Sequence, residues 1–263
     1  MKKRTAFIRC WNEEATVLAS LLSVQNIFTD YVIIYSDITD RSLLLIEQFA
    51  RGRNDIVVEK YPYSVHPPHS EVYKSGDYKP ENSLAAYYNF GVQICEKVGG
   101  SICKIDCDQV YNENVIGEQM SLLEKEYSNR PRGYFKSGLW GINSFVYDNM
   151  LLIPENYPIN GRGDHYIYSP TVSVSYSQSR FYEVPQTRSD CIELPFNRQP
   201  AWFHFMKRIV GTQFQNVKTL KEFYDENDSF LTLDEEFADL FEMQIRSLLL
   251  QTNSPYQNIV ITK

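Results

Sequence analysis

The chain has 263 residues, 43% hydrophobic and 22% charged, proportions of a globular protein with one large domain or two small ones. Its net charge of −7 argues against a broad nucleic-acid or anionic-membrane surface, while leaving room for a local basic site. No run of about 18 apolar residues is present to form a transmembrane helix.

The basic head Met1-Lys2-Lys3-Arg4 leads into an apolar stretch interrupted by Arg9, Asn12, Glu13 and Glu14. That pattern is a first strand, Thr5 to Cys10, rather than a secretion signal. Five cysteines, Cys10, Cys95, Cys103, Cys107 and Cys191, are odd in number and match no zinc spacing. They are expected to be reduced, in a cytoplasmic protein. The 19 tyrosines suit sugar or base stacking, but tyrosine also fills cores, and the core reading comes first.

A helix is expected over Glu13 to Phe28, with Asn12 as its N-cap and Val17, Leu18, Leu21, Leu22, Val24 and Phe28 as its apolar stripe. Tyr31 to Tyr35 reads as a second strand, Arg41 to Ala50 as a helix, and Asp55 to Glu59 as a third strand. A loop rich in Pro, His, Ser and Tyr follows, to about Pro80. Its His66-Pro67-Pro68-His69 is read as stiff loop without metal, a possible acceptor-side lid. Glu81 to Val98 is a helix stopped by Gly99-Gly100.

Next comes Ser101-Ile102-Cys103-Lys104-Ile105-Asp106-Cys107-Asp108, a mostly apolar strand ending in two carboxylates spaced i, i+2. In a strand such residues share a side, so Asp106 and Asp108 are expected to converge on one hard cation, Mg²⁺ or Mn²⁺. The alternating strand and helix order predicts an α/β fold with a mostly parallel open sheet and helices on both faces. Such sheets bind ligands at the carboxyl ends of their strands.

Strand one followed by Asn12-Glu13-Glu14, strand two followed by Asp37-Ile38-Thr39-Asp40-Arg41-Ser42, and a later strand ending Asp106-Cys107-Asp108 together resemble a GT-A (Rossmann-like) glycosyltransferase. The likeness is to glycosyltransferase family 2 or a divergent relative, and covers about the first 110 residues. It implies that Arg9, Glu14, Asp37 and Asp106 serve the nucleotide-sugar donor, and that Asp106 and Asp108 serve the metal. Two departures stand out. Ile8-Arg9-Cys10-Trp11 replaces the usual proline and aromatic, and Ser36-Asp37-Ile38-Thr39 replaces an acidic-Gly-Ser run.

In the second half Asn112 to Tyr127 reads as a helix, Arg132 to Tyr147 as extended segments, and Val172 to Val184 as a strand. Trp140 is a candidate to stack on a sugar face, with a core position the competing reading. Gly-rich Asn160-Gly161-Arg162-Gly163-Asp164-His165 carries Asp164 where inverting GT-A enzymes place the base for the acceptor hydroxyl, with His165 the neighbouring alternative. His204, among aromatics, is the third metal ligand by the same resemblance, and Lys207 and Arg208 would offset diphosphate charge. Leu220 to Phe230 and Leu233 to Leu250 read as terminal helices.

The expected organisation is one GT-A catalytic domain over 1–215, with a nucleotide-binding half 1–110 and an acceptor-binding half 111–215, and a helical C-terminal extension over 216–263. The expected function is a Mn²⁺- or Mg²⁺-dependent glycosyltransferase. It would move a sugar from a nucleotide sugar, a UDP-sugar first, to a hydroxyl of a glycan or glycolipid in bacterial surface polysaccharide synthesis. The expected location is cytoplasmic, at most peripheral to the membrane. Two rivals are a phosphohydrolase of the haloacid-dehalogenase type with Asp106 as nucleophile, and a non-catalytic glycan-binding protein. Against the first, that motif opens its domain, whereas three strands precede it here.

Overall fold

The computed structural model describes residues 2–66, 70–147, 150–155, 158–161, 164–178, 183–205 and 217–226. The first half alternates β1 (Arg4–Cys10), α1 (Val17–Ser23), β2 (Asp30–Tyr35), α2 (Ser42–Ala50), β3 (Ile56–Lys60), α3 (Glu71–Ser75), α4 (Leu84–Val98), β4 (Ser101–Asp106), β5 (Gln109–Tyr111) and α5 (Glu113–Asn129). The second half is mostly strands: β6 (Phe135–Gly138), β7 (Gly141–Tyr147), β8 (Met150–Pro154), β9 (Ile159–Asn160), β10 (Tyr166–Tyr168), β11 (Ser175–Gln178), β12 (Glu183–Gln186), β13 (Ile192–Leu194), β14 (Trp202–Phe205) and β15 (Val217–Thr219). It is followed by α6 (Leu220–Glu226).

The main sheet has the order β13-β6-β10-β4-β1-β2-β3. Every strand runs one way except β10, which is antiparallel to both its neighbours. This is the expected α/β architecture with a mostly parallel sheet. A second sheet, β15-β8-β7-β14-β5 with β9 on β7, stands beside it, and β11 and β12 form a separate hairpin.

Strand alternation divides the core into two layers. Ala6, Ile8 and Cys10 of β1 and Cys103 and Ile105 of β4 pack with α1 and α5. Phe7 and Ile102 face the other way, onto Tyr87, Tyr88, Val92 and Cys95 of α4. Lys104 and Asp106 share the face of Ile102, and Arg9 shares that of Phe7, so the charges at the strand ends sit on the α4 side. Ser83 caps α4 by accepting from the Ala86 N–H at 3.1 Å. Gly99 and Gly100 stop it at φ 84° and 90°, and a side chain at Gly100 would strike the Lys3 backbone.

Several boundaries differ from expectation. The first helix begins at Val17, because Glu13 to Thr16 form a turn closed by Val17 N–H on Glu13 O at 2.8 Å. Asn12 does not cap it. It adopts a left-handed φ of 51° and turns its side chain to Thr39, accepting from the backbone N–H at 2.8 Å and donating to Oγ1 at 3.0 Å. The long loop holds the short helix α3, capped by Ser70 and ended by Gly76 at φ 71°. The stretch Val172 to Val184 is not one strand, because its polar-faced alternation folds back as β11 and β12. The helix expected over Leu233 to Leu250 lies outside the described residues, as do Pro67, Pro68 and His69.

Candidate active site

The carboxyl ends of β1, β2 and β4 meet at one edge of the main sheet, and the charged groups gather there. Lys104 is 1% exposed. Its ammonium lies 2.8 Å from Asp106 Oδ2 and 2.8 Å from Asp164 Oδ2. Arg9 Nε lies 3.0 Å from Asp106 Oδ1, off the hydrogen-bond axis, so this is an ion pair and not a hydrogen bond. Both cations sit against the Tyr88 ring, with Arg9 Cζ at 5.1 Å and Lys104 Nζ at 5.4 Å from its centroid.

Asp164 and His165 arrive through the one reversed strand. Ile167 pairs with Cys103, and extending that register toward the β4 exit sets Asp164 beside Asp106. His165 Nε2 is 3.1 Å from Asp106 Oδ2 and 3.1 Å from the Gln109 amide nitrogen, and Nδ1 is 3.2 Å from Asp164 Oδ1. The ring stacks on Trp202 at 4.4 Å. Burial pushes the Asp106 carboxyl up, but Arg9, Lys104 and His165 outweigh it and hold the group well below the usual range. Asp164 is likewise held low, with burial outweighed by Lys104 and His165.

Asp108 goes elsewhere. β4 ends at Asp106, and Cys107-Asp108 form a turn, so the i, i+2 alternation does not carry the second carboxylate to the first one's partners. Asp108 Oδ2 lies 3.3 Å from His204 Nε2. β14 brings His204 there by pairing with Gln109 of β5 and Asn143 of β7. His204 Nδ1 is 2.7 Å from Asn143 Oδ1, which also accepts from the Asn160 amide at 3.0 Å. Nδ1 also lies 3.2 Å from the Asn160 amide nitrogen; in the tautomer with the proton on Nδ1 it donates to Asn143 Oδ1, and Nε2 is then open to a cation beside Asp108. Burial lowers the His204 pKa, but Asp108 outweighs it and the net shift is upward; His204 outweighs burial on Asp108, which shifts downward.

These donors fit a divalent cation. Ligands at about 2.1 Å on adjacent octahedral positions lie roughly 3 Å apart, close to the observed Asp108–His204 separation. Among the described residues no group of three His, Cys, Asp or Glu side chains is placed to hold a metal alone, so the pair would share it with substrate oxygens and water.

A small cavity of about 70 Å³, lined by Arg9, Trp11, Ser36, Asp37, Val65, Leu84 and Tyr87, meets the charge cluster at Arg9. Asp37 has the left-handed φ of 32°, at the end of β2. Such backbone in a non-glycine residue persists where surrounding structure imposes it. Trp11 is 48% exposed and Tyr63 47%. Arg9 belongs to both the cavity and the charge cluster.

A profile described as the beta-1,4-N-acetylgalactosaminyltransferase (CgtA) family matches residues 2–135, just over half of the chain. The chain belongs to this family. The expectation of a glycosyltransferase is met at that level. No curated protein matches the chain in sequence. Solved structures that match include glucosyl-3-phosphoglycerate synthase from Mycobacterium tuberculosis, in complexes with Mg²⁺ and UDP and with Mn²⁺ and UDP-glucose. Each is 12% identical with a TM-score of 0.35, over 52% of this chain and 43% of that chain. The chain thus spans less than half of those proteins. That likeness is distant, and the fold rests on the strand order given above.

The CgtA-family match ends at residue 135, so Asp164, His165 and His204 reach the site from beyond it. Of the residues singled out from sequence, Arg9, Asp106, Asp164 and His165 form one cluster, and Asp108 with His204 form a second pair within electrostatic reach of it. Glu14 is turned aside, accepting from Arg41 backbone N–H at 3.1 Å and Nε at 3.3 Å. Trp140 is a core residue, 6% exposed, with its indole N–H on Asn197 O at 2.9 Å. Lys207 and Arg208 lie outside the described residues. Lys104 was missed because it hides in an apolar run. The period-2 rule that puts it on the face of Asp106 was the available signal.

Proposed function

We propose that residues 1–215 work as one catalytic unit that transfers a sugar from a UDP-sugar to a hydroxyl of a glycan or glycolipid. The family description favours N-acetylgalactosamine as the sugar and a 4-hydroxyl as the acceptor. A β-linkage formed from an α-configured nucleotide sugar requires inversion. The observation that carries this reading is the Asp108–His204 pair within electrostatic reach of Arg9, which lines the cavity and pairs with Asp106.

Asp108 and His204 would hold Mn²⁺ or Mg²⁺, whose charge makes the nucleoside diphosphate a better leaving group. Asp37 and the exposed ring of Trp11 suit the hydrogen-bonding edge and flat face of a base. Asp106 Oδ1, paired with Arg9, accepts no hydrogen bond from the described residues and suits a donor hydroxyl. Arg9 faces the phosphates, and Lys207 and Arg208 add to that charge by the resemblance stated above. Lys104 keeps Asp106 and Asp164 ionised and in place. No helix among the described residues is long and apolar enough to cross a membrane. A role in bacterial surface polysaccharide synthesis at the cytoplasmic side is the setting we favour.

Calorimetry with UDP, GDP, CMP and dTDP, each with Mn²⁺ and with EDTA, tests the donor site. Binding of UDP that needs the cation and is lost in Asp108→Ala supports the reading. Absence of nucleotide binding under every condition removes it.

A further inference from the structure

We infer that Glu183 is the catalytic base that takes the proton from the acceptor hydroxyl. The inference rests on the transfer reaction proposed above and concerns a residue that the sequence did not single out. Asp164, the expected base, is poorly suited to that task. It is tied to the Lys104 ammonium at 2.8 Å, and its carboxyl is held below the usual range, which weakens it as a proton acceptor.

Glu183 opens β12 and faces Gln178 of β11 across the hairpin. It is 7% exposed. Gln178 fixes its place at the sheet's active edge. The Gln178 Oε1 accepts from Ala85 N–H at 3.4 Å, in the first turn of α4. Because α4 leads into β4, its N-terminus lies at the carboxyl edge where Asp106 ends. The Gln178 Nε2 donates to Tyr73 Oη of α3 at 2.6 Å and to Glu183 Oε1 at 3.3 Å. Among the described residues, Gln178 is the one side chain that hydrogen-bonds this carboxylate, and no Lys, Arg or His closes an ion pair with it.

The charges around it come from every side of the site. Arg9 from β1 favours its ionised form, while Asp164 opposes it, and Tyr88 of α4 and Tyr73 of α3 pack nearby. Burial dominates and moves the carboxyl upward, toward the range in which a base works near neutral pH. A buried carboxylate that no Lys, Arg or His among the described residues contacts in an ion pair is unfavourable for folding, so its presence at the active edge points to use rather than to support.

In the step, the acceptor oxygen forms a bond to the anomeric carbon while its proton passes to Glu183. The bond from that carbon to the β-phosphate oxygen breaks, and its electron pair leaves with UDP. Protonated Glu183 then returns its proton to solvent. The same group serves when water is the acceptor.

The test uses the full chain with UDP-N-acetylgalactosamine and Mn²⁺. UDP release is measured with water alone and with a panel of oligosaccharides bearing a free 4-hydroxyl. Glu183→Gln is expected to bind UDP within twofold of wild type while turnover falls about 10²- to 10⁴-fold. Glu183→Asp, which keeps the carboxylate on a shorter arm, is expected to retain more turnover than Glu183→Gln. Turnover of Glu183→Gln within threefold of wild type overturns the inference. So does a loss of UDP affinity that accounts for the whole decrease, since that is a donor-binding or structural role. If wild type binds no UDP, the donor reading itself fails, and that is seen before any variant is made.

Discussion

Lys104 and Asp164 meet at 2.8 Å across the join between β4 and the reversed strand β10, and Asp106 shares the same ammonium. The one ammonium therefore bridges two buried carboxylates from different halves of the chain, with Arg9 also paired to Asp106. Lys104→Met keeps most of the volume and removes the charge. The expected loss is about 3–5 kcal/mol, the usual consequence of stranding buried charge. Urea denaturation at pH 7 measures it. Asp106 and Asp164 have folded pKa values below their unfolded ones. Their contribution is therefore present above about pH 4 and lost as pH falls through the folded values. In Lys104→Met this acid-side slope flattens.

Asn143 Oδ1 lies 2.7 Å from His204 Nδ1 and orients the ring toward Asp108. Asn143→Ala should leave the fold in place and weaken Mn²⁺ binding in the presence of UDP by roughly 10- to 100-fold. Electron paramagnetic resonance of free Mn²⁺ reads this directly, without any acceptor. Unchanged affinity would mean that the imidazole is positioned by its strand alone.

Glu183 gives a stability prediction independent of turnover. Its folded pKa lies above the unfolded one, so its stabilising contribution is full below about pH 4 and declines as pH rises through the folded value. Glu183→Gln lacks that decline. Its melting temperature should exceed that of wild type at pH 7–8, and the difference should vanish toward pH 4. A lower melting temperature at pH 7 would contradict the assigned burial.

Gly141 lies against the indole of Trp202, and a methyl group there would overlap the ring. Trp202 is fully buried and carries His165 on its face. Gly141→Ala is expected to cost about 1–3 kcal/mol. It should also disturb the site through His165, visible as a shifted imidazole resonance in NMR.

The sequence made the first half readable because its strands and helices carry strong periodicity, and because Asp106 and Asp108 end an apolar run. It did not show that the chain turns between those two acids. Alternation holds only while the strand continues, and Cys107 looks no different from a strand residue. Lys104 was concealed by the apolar run around it, although strand alternation sets it on the face of Asp106. Glu183 was concealed by its neighbours Phe181, Tyr182 and Val184, which read as sheet filler. His204 was accessible only through resemblance, since the pairing of β14 with β5 and β7 joins segments far apart in the chain. Asn12 misled for a local reason. Its composition fits a helix cap, yet its side chain serves the neighbouring loop.

The reversed strand has a consequence for exchange between relatives. The stretch that the family profile covers stops at residue 135, while the acid that answers Lys104 stands at position 164. The stretch that the family profile covers and the stretch beyond it are thus joined by one electrical circuit. A chimaera that swaps the stretch beyond residue 135 should need an acidic residue at that position to keep Lys104 paired on both sides. One that does not leaves Lys104 answered by Asp106 alone and should lose stability.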